Sequence, residues 1–280
     1  MRKLTLLYVT ATVALAAALA AAPNVLADTG DSSNWAGYSV HRPGLSFSSV
    51  SASWIEPGAR CHKRRRRYSA VWVGLGGFAS TSQALEQVGT EIDCTRGGRV
   101  ATSAWYELVP QASRSVHLQV HPGDQMAAAV SVAGHQVSLT LSNLTTHAVF
   151  QRTVTAPLVD VGSADWIVEA PSECVSSNSC QTLPLANFGS ATFSSAQAQT
   201  TTGHLGPISD PAWSNTKIRL RPGGRRFVIY HGSGAAAGAA IPSPLGANGS
   251  SFSVKFALVR VYGKLLPAGD GRRRASYLVH

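Results

Sequence analysis

Period-two alternation of apolar and polar residues, repeatedly cut by tight turns, is the feature that most constrains this chain. Val116-His117-Leu118-Gln119-Val120 alternates and runs into the turn residues His121-Pro122-Gly123-Asp124. Ala128, Val130 and Val132 follow on one face, then a turn at Gly134, then Val137, Leu139 and Leu141. Phe252, Val254, Phe256 and Leu258 repeat the pattern, and Val259 and Val261 extend it. A period of two buries one face of an extended strand and cannot place its apolar residues on one side of a helix. No stretch after residue 27 carries an amphipathic helical pattern. Many short strands separated by Gly, Pro, Asn and Ser predict an antiparallel β-sandwich of two curved sheets, jelly-roll-like in class.

Composition narrows the class further. The 280 residues are 44% hydrophobic and only 14% charged, with 26 Gly and 14 Pro. That excludes a disordered chain, a collagen and a coiled coil. The length is enough for one large core. The chain opens with Met1-Arg2-Lys3 and an apolar run from Leu4 to Ala22, and reaches the small-residue site Val25-Leu26-Ala27. This is the form of a secretory signal peptide over residues 1–27, with the mature chain starting at Asp28 and exported. No later segment has the roughly 18 apolar residues of a membrane span. Residues 28–265 read as a single domain, 232–251 as a flexible loop low in complexity, and 266–280 as a basic tail.

Export agrees with four cysteines, Cys61, Cys94, Cys174 and Cys180. Three connectivities are open; Cys61–Cys94 with Cys174–Cys180 is favoured, the second closing a short loop rich in Ser and Asn. No CxxC pair, H-E-x-x-H helix, phosphate-binding loop or G-x-S-x-G elbow occurs, so no metal or cofactor is expected. Asp28-Thr29-Gly30 has the form used by aspartic peptidases, but that chemistry needs two carboxyls sharing a proton, and no second copy exists. The net charge is +10, and Lys63 to Arg67 is a dense basic run. Without interleaved aromatics it reads as a solvated loop. It is open to nonspecific polyanion contact and does not specify nucleic acid.

Polar residues inside strands carry the functional signal. In Leu85 to Glu91, alternation puts Gln87 and Glu91 on one face; in Ser103 to Glu107, Trp105 and Glu107 share a face; Glu169 sits near the end of an apolar strand. Each alone fits a hydrogen-bonded core group. Together they describe a sheet face carrying Gln, Glu and Trp, able to bind a sugar or to hydrolyse an amide or a glycosidic bond.

These residues resemble the glutamic peptidases (eqolisins), in particular their bacterial members. The resemblance rests on Ser33-Asn34-Trp35-Ala36-Gly37-Tyr38, Trp72-Val73-Gly74-Leu75-Gly76-Gly77, Glu86 to Glu91 and Ala104-Trp105-Tyr106-Glu107. It continues through Asp165 to Pro171 and Pro184 to Gly189, in the family order over roughly 160 residues. It implies a sandwich with a Gln/Glu catalytic dyad on its concave face, here Gln87 and Glu169. Trp105 is implied as a substrate-cleft residue, with Trp72, Glu91 and Glu107 beside it. Polypeptide substrates, secretion and an acid optimum follow. Where fungal members carry two further cleft carboxylates, this sequence has Glu91 and Ser103, and the basic run has the look of a loop insertion. A lectin-like sandwich, a glycoside hydrolase using Glu169 with Glu91 or Glu107, and an inactive family member are the alternatives.

Overall fold

A computed structural model describes residues 28–176, 179–221, 238–258 and 277–279. Residues 1–27, Val259 to Val261 and most of the tail lie outside the described residues. In chain order the first strands are β1 (Asp28–Ser32), β2 (Trp35–His41), β3 (Phe47–Ile55), β4 (Arg67–Gly76), β5 (Leu85–Cys94), β6 (Val100–Val109) and β7 (Arg114–Val116). Next come β8 (Gln125–Ala133), β9 (Gln136–Asn143), β10 (Ala148–Thr155), β11 (Ser163–Glu169), β12 (Ser172–Ser176) and β13 (Ser179–Thr182). The last are β14 (Ser190–Thr200), β15 (Leu205–Pro207), β16 (Ser214–Leu220), β17 (Ala239–Pro242), β18 (Phe252–Ala257) and β19 (Tyr277–Val279). The described residues contain no helix.

The expected two sheets are one hydrogen-bonded path that doubles back on itself. Its order is β10-β9-β8-β3-β14-β18-β17-β16-β2-β11-β4-β5-β6-β7, with β1 and β15 attached at the side. Pairing along the path is antiparallel; β1 joins β16 in parallel. The limb β3, β8, β9 packs face to face on β4, β5 and β11. Between them lies the main core, including Trp54, Val71, Val73, Val88, Tyr106, Val130, Leu139, Trp166, Val168 and Phe193. Trp166 crosses this interface, donating Nε1–H to the Ser51 carbonyl at 2.9 Å.

Alternation explains the outer limb directly: β9 is buried at every second residue. β4, β5 and β11 are buried on both faces and so read as nearly continuous apolar runs. The hairpin turning at Gly134 forms as expected, between β8 and β9. The alternating run from Val116 to Val120 does not form a full strand. β7 stops at Val116, yet Leu118 and Val120 are still buried. Side chains supply the missing ladder bonds: Asn143 Nδ2–H donates to the Gln119 carbonyl at 3.0 Å, and Thr102 Oγ1–H donates to that of Val120. The stretch 232–251, expected as a loop, contributes β17. Its small residues bridge β16 and β18, and Tyr38 Oη–H donates to the adjacent Ser243 carbonyl at 2.8 Å.

Both expected disulfides are present. Cys61–Cys94 pins the exposed basic loop to the end of β5, and Cys174–Cys180 joins β12 to β13.

Two carboxyls are enclosed by the core. Glu56 accepts Trp54 Nε1–H at 3.0 Å and Thr90 Oγ1–H at 2.7 Å, and burial pushes its pKa up to about 7. Glu86 faces the core from β5 and is pushed up to about 9 by burial. Both sit above the ordinary 4.5, so the folded state holds protons that the unfolded chain releases. The stability they contribute is whole below pH 4.5. It is lost as pH rises through 7 for Glu56 and 9 for Glu86. The melting temperature is therefore expected to fall steadily from acid to mildly alkaline pH. In a Glu56→Gln/Glu86→Gln variant, scanning calorimetry across that range should give a flatter profile. An unchanged slope would contradict this account.

Candidate active site

The candidate site residues lie on the face of β2, β11, β4, β5 and β6 turned away from the core. Register builds it in rows, because residues directly paired across antiparallel strands point to the same side. Glu169, Ala70, Glu91 and Ser103 form one row. Ile167, Trp72, Gly89 and Trp105 form the next, and Asp165, Gly74, Gln87 and Glu107 the third. All the residues expected at the site (Gln87, Glu169, Trp72, Trp105, Glu91 and Glu107) therefore lie on one face. Glu91 is directly across Ala70 from Glu169. Gln87 lies on the diagonal of the same face, two strands and four residues away, about 17 Å between Cα atoms by flat-sheet spacing.

Glu169 ends β11 and is 1% exposed. Its Oε1 accepts Asn34 Nδ2–H at 2.9 Å and its Oε2 accepts Trp72 Nε1–H at 2.9 Å. Each carboxyl oxygen thus has a fixed donor, which orients the group in an apolar setting. Gln87 is fully buried and donates Nε2–H to Glu107 Oε2 at 2.8 Å, which defines which end of its amide is the donor.

Around these groups lies a second apolar cluster of Trp35, Trp72, Trp105, Leu85, Val109, Ile167 and Ile218, closed by Cys174 and Cys180 of the β12–β13 hairpin. Trp35 and Trp72 meet edge to face with centroids 4.9 Å apart. Such a contact contributes about 0.5–1.5 kcal/mol beyond area burial.

Two polar features of this face were not singled out from sequence. Asn34 was legible only as part of a motif; its function follows from the turn before β2. There Ser32 Oγ accepts the backbone N–H of both Asn34 and Trp35, and the Asn34 carbonyl accepts Ala170 N–H at 2.9 Å. Asp165 is wholly buried, accepts Ser163 Oγ–H at 2.9 Å, and is pushed well above the usual carboxylate range by burial. Glu91 and Asp93, two residues apart on this face, are both raised by burial. Asp93 adds to the shift of Glu91, while the Arg66 charge opposes that of Asp93. A recess of about 600 Å³ borders the same layer, where His41 stacks on Phe78 at 4.4 Å.

The Peptidase A4 family model matches residues 33–220, which spans Asn34, Trp72, Gln87, Glu91, Trp105, Glu107 and Glu169. The chain belongs to the Peptidase A4 family. It is accordingly a glutamic endopeptidase, a hydrolase of peptide bonds. Aspergillopepsin-2 of Aspergillus niger is 28% identical to this A4 peptidase over 200 residues, 63% of this chain and 67% of the fungal one. Scytalido-glutamic peptidase, solved with a transition-state analog inhibitor, superposes with a TM-score of 0.63 at 23% identity. The match covers 80% of this chain and 98% of that one. The aspergilloglutamic peptidase of A. niger gives 0.53 at 24% identity, over 68% and 99% of the two chains. These structures share the fold.

Gly89 is what lets the tryptophans of this A4 peptidase sit as they do. A Cβ at position 89 would meet the Val71 carbonyl and lie 2.6 Å from Trp72 Cβ. Gly89→Ala should therefore displace Trp72, the donor to Glu169. Overpacking of this kind costs about 1–3 kcal/mol. Denaturant unfolding should show that loss together with reduced proteolysis. Gly97→Ala, whose nearest neighbour is Thr95 Oγ1 at 3.7 Å, should change neither.

Proposed function

We propose that this protein is a secreted acid endopeptidase in which Glu169 and Gln87 act on a single water. The observation that carries the reading is the pair of donors, Asn34 and Trp72, that fix both oxygens of a buried Glu169 on the same face as Gln87. The family membership and the sequence resemblance support the two roles.

Glu169 as carboxylate takes a proton from water while the water oxygen bonds to the scissile carbonyl carbon. The carbonyl oxygen becomes an oxyanion, and the Gln87 amide donates N–H to it. Protonated Glu169 then delivers that proton to the amide nitrogen. The C–N bond breaks, and an acid and an amine leave. One carboxyl therefore serves first as base and then as acid. Trp105 and Trp72 offer flat apolar faces to substrate side chains, with Glu91 and Glu107 as polar neighbours. The substrates are polypeptides. Export, expected from residues 1–27, fits the two disulfides.

Digestion of denatured casein across pH tests this. Glu169→Gln should lose at least about 10³ of the rate, since an amide is no base. Gln87→Ala should lose about 10²–10³, the effect of removing one oxyanion donor. Glu86→Gln, on the opposite face of β5, should retain activity. A folded Glu169→Gln enzyme that still cleaves would overturn the assignment. So would inactivation by Glu91→Gln alongside an unaffected Gln87→Ala, which would point to a carboxyl pair instead.

A further inference from the structure

The small sheet β13-β12-β19 stands apart from the main path and touches the site. β12 begins three residues after Glu169, and Cys174 and Cys180 carry its hairpin into the cluster that holds Trp35, Trp72 and Trp105. One edge of β12 is taken by β13. The other is taken by β19 in antiparallel register, Ser172 opposite Val279, Glu173 opposite Leu278 and Cys174 opposite Tyr277.

The position of that edge matters. Ala170 N–H goes to the Asn34 carbonyl, whereas the Pro171 carbonyl accepts Leu183 N–H on the β13 side. Backbone groups alternate sides along a strand, so Ser172 points the same way as Ala170. Ser172 is therefore the next edge position beyond Asn34, and Val279 sits against it. β19 thus fills the sheet edge adjoining the residue that holds Glu169 Oε1.

An exposed strand edge binds any extended chain through main-chain hydrogen bonds, with little demand on sequence. That is the chemistry of an endopeptidase substrate. The site is also closed: Glu169, Gln87, Glu107, Trp72 and Trp105 are each 2% exposed or less. A polypeptide reaching them must replace something.

We propose that the edge of β12 is a docking edge for extended polypeptide substrate, and that residues 277–279 hold it as a built-in competitor. This rests on the peptidase reading above. Three paired residues make few hydrogen bonds, so the segment is displaceable, yet its tether keeps it at high effective concentration. The chain thereby restrains its own activity until a substrate, or removal of the segment, frees the edge.

The test compares the full chain with a Tyr277→Pro/Leu278→Pro variant. Of two adjacent residues in a strand one directs its N–H at the partner, so the double substitution removes that bond. On casein the variant should show kcat/KM higher by about tenfold, through KM with kcat unchanged. A synthetic peptide of residues 266–280 should raise KM again without altering kcat. The same peptide should bind the proline variant carrying Glu169→Gln, read by tryptophan fluorescence. A variant within twofold of the parent, together with no peptide binding, would overturn the proposal. If the proline variant fails to fold, a chain ending at Leu258 takes its place with the same readings. If no form cleaves casein, the peptidase mechanism falls, and peptide binding alone then decides the docking edge.

Discussion

Two N–H groups hold the carboxyl of Glu169 in a nearly dry, tryptophan-lined face, and much of the structure exists to place them. Burying a carboxylate costs several kcal/mol unless hydrogen bonds replace its water. The donors come from opposite sides. Asn34 is set by the Ser32 turn at the entry to β2, while Trp72 stands one row away on β4. Trp72 in turn fits only because Gly89 leaves its own row open, and Trp35 braces it edge to face. A change at any of these positions reaches Glu169 through one intermediate contact. The glycines in these central strands, which weaken strand propensity, are therefore best explained by the space they leave beside large side chains.

The same enclosure shifts a whole set of carboxyls. Glu56, Glu86, Glu91, Asp93 and Asp165 are all raised by burial, and burial is the leading cause in each case. A protein that depended on salt bridges from carboxylates would loosen as those groups were protonated. Here the raised carboxyls are neutral in acid and require no cation. Among the described residues the ion pairs are few and sit at the surface, as with Arg219 and Asp31. The fold is thus compatible with the acidic conditions in which a single carboxyl can act both as base and as acid.

Much of this was legible in the sequence because its physical cause is local. Alternation reports strands wherever one face is solvated, as in β8 and β9. It also gave the shared face of Gln87, Glu91, Trp105 and Glu107, since a one-residue slip would turn all of them into the core. What was not legible depends on partners distant in sequence. Val116 to Val120 alternates but pairs only as far as Val116, because Asn143 and Thr102 satisfy the backbone beyond it. Ala239–Pro242 reads as low complexity, and only its neighbours β16 and β18 make it a strand. Asn34 looks like any turn residue until Glu169, 135 positions later, is brought against it.

With a net charge of +10, protonating carboxylates leaves an already basic chain still more positive and self-repelling. The buried groups moderate that cost. Glu56, Glu86, Glu91, Asp93 and Asp165 are already raised in the native state, so a fall in pH changes their charge less there than in the unfolded chain. Acidification therefore adds more positive charge to the unfolded chain than to the folded one, and linkage favours folding. The densest positive charge, Lys63 to Arg66, is kept on an exposed loop where water and salt screen it, tied down by Cys61–Cys94 instead of by ion pairs that acid would weaken. Placement thus limits the charge cost of acidification: cations outside and screened, the raised carboxyls inside and neutral.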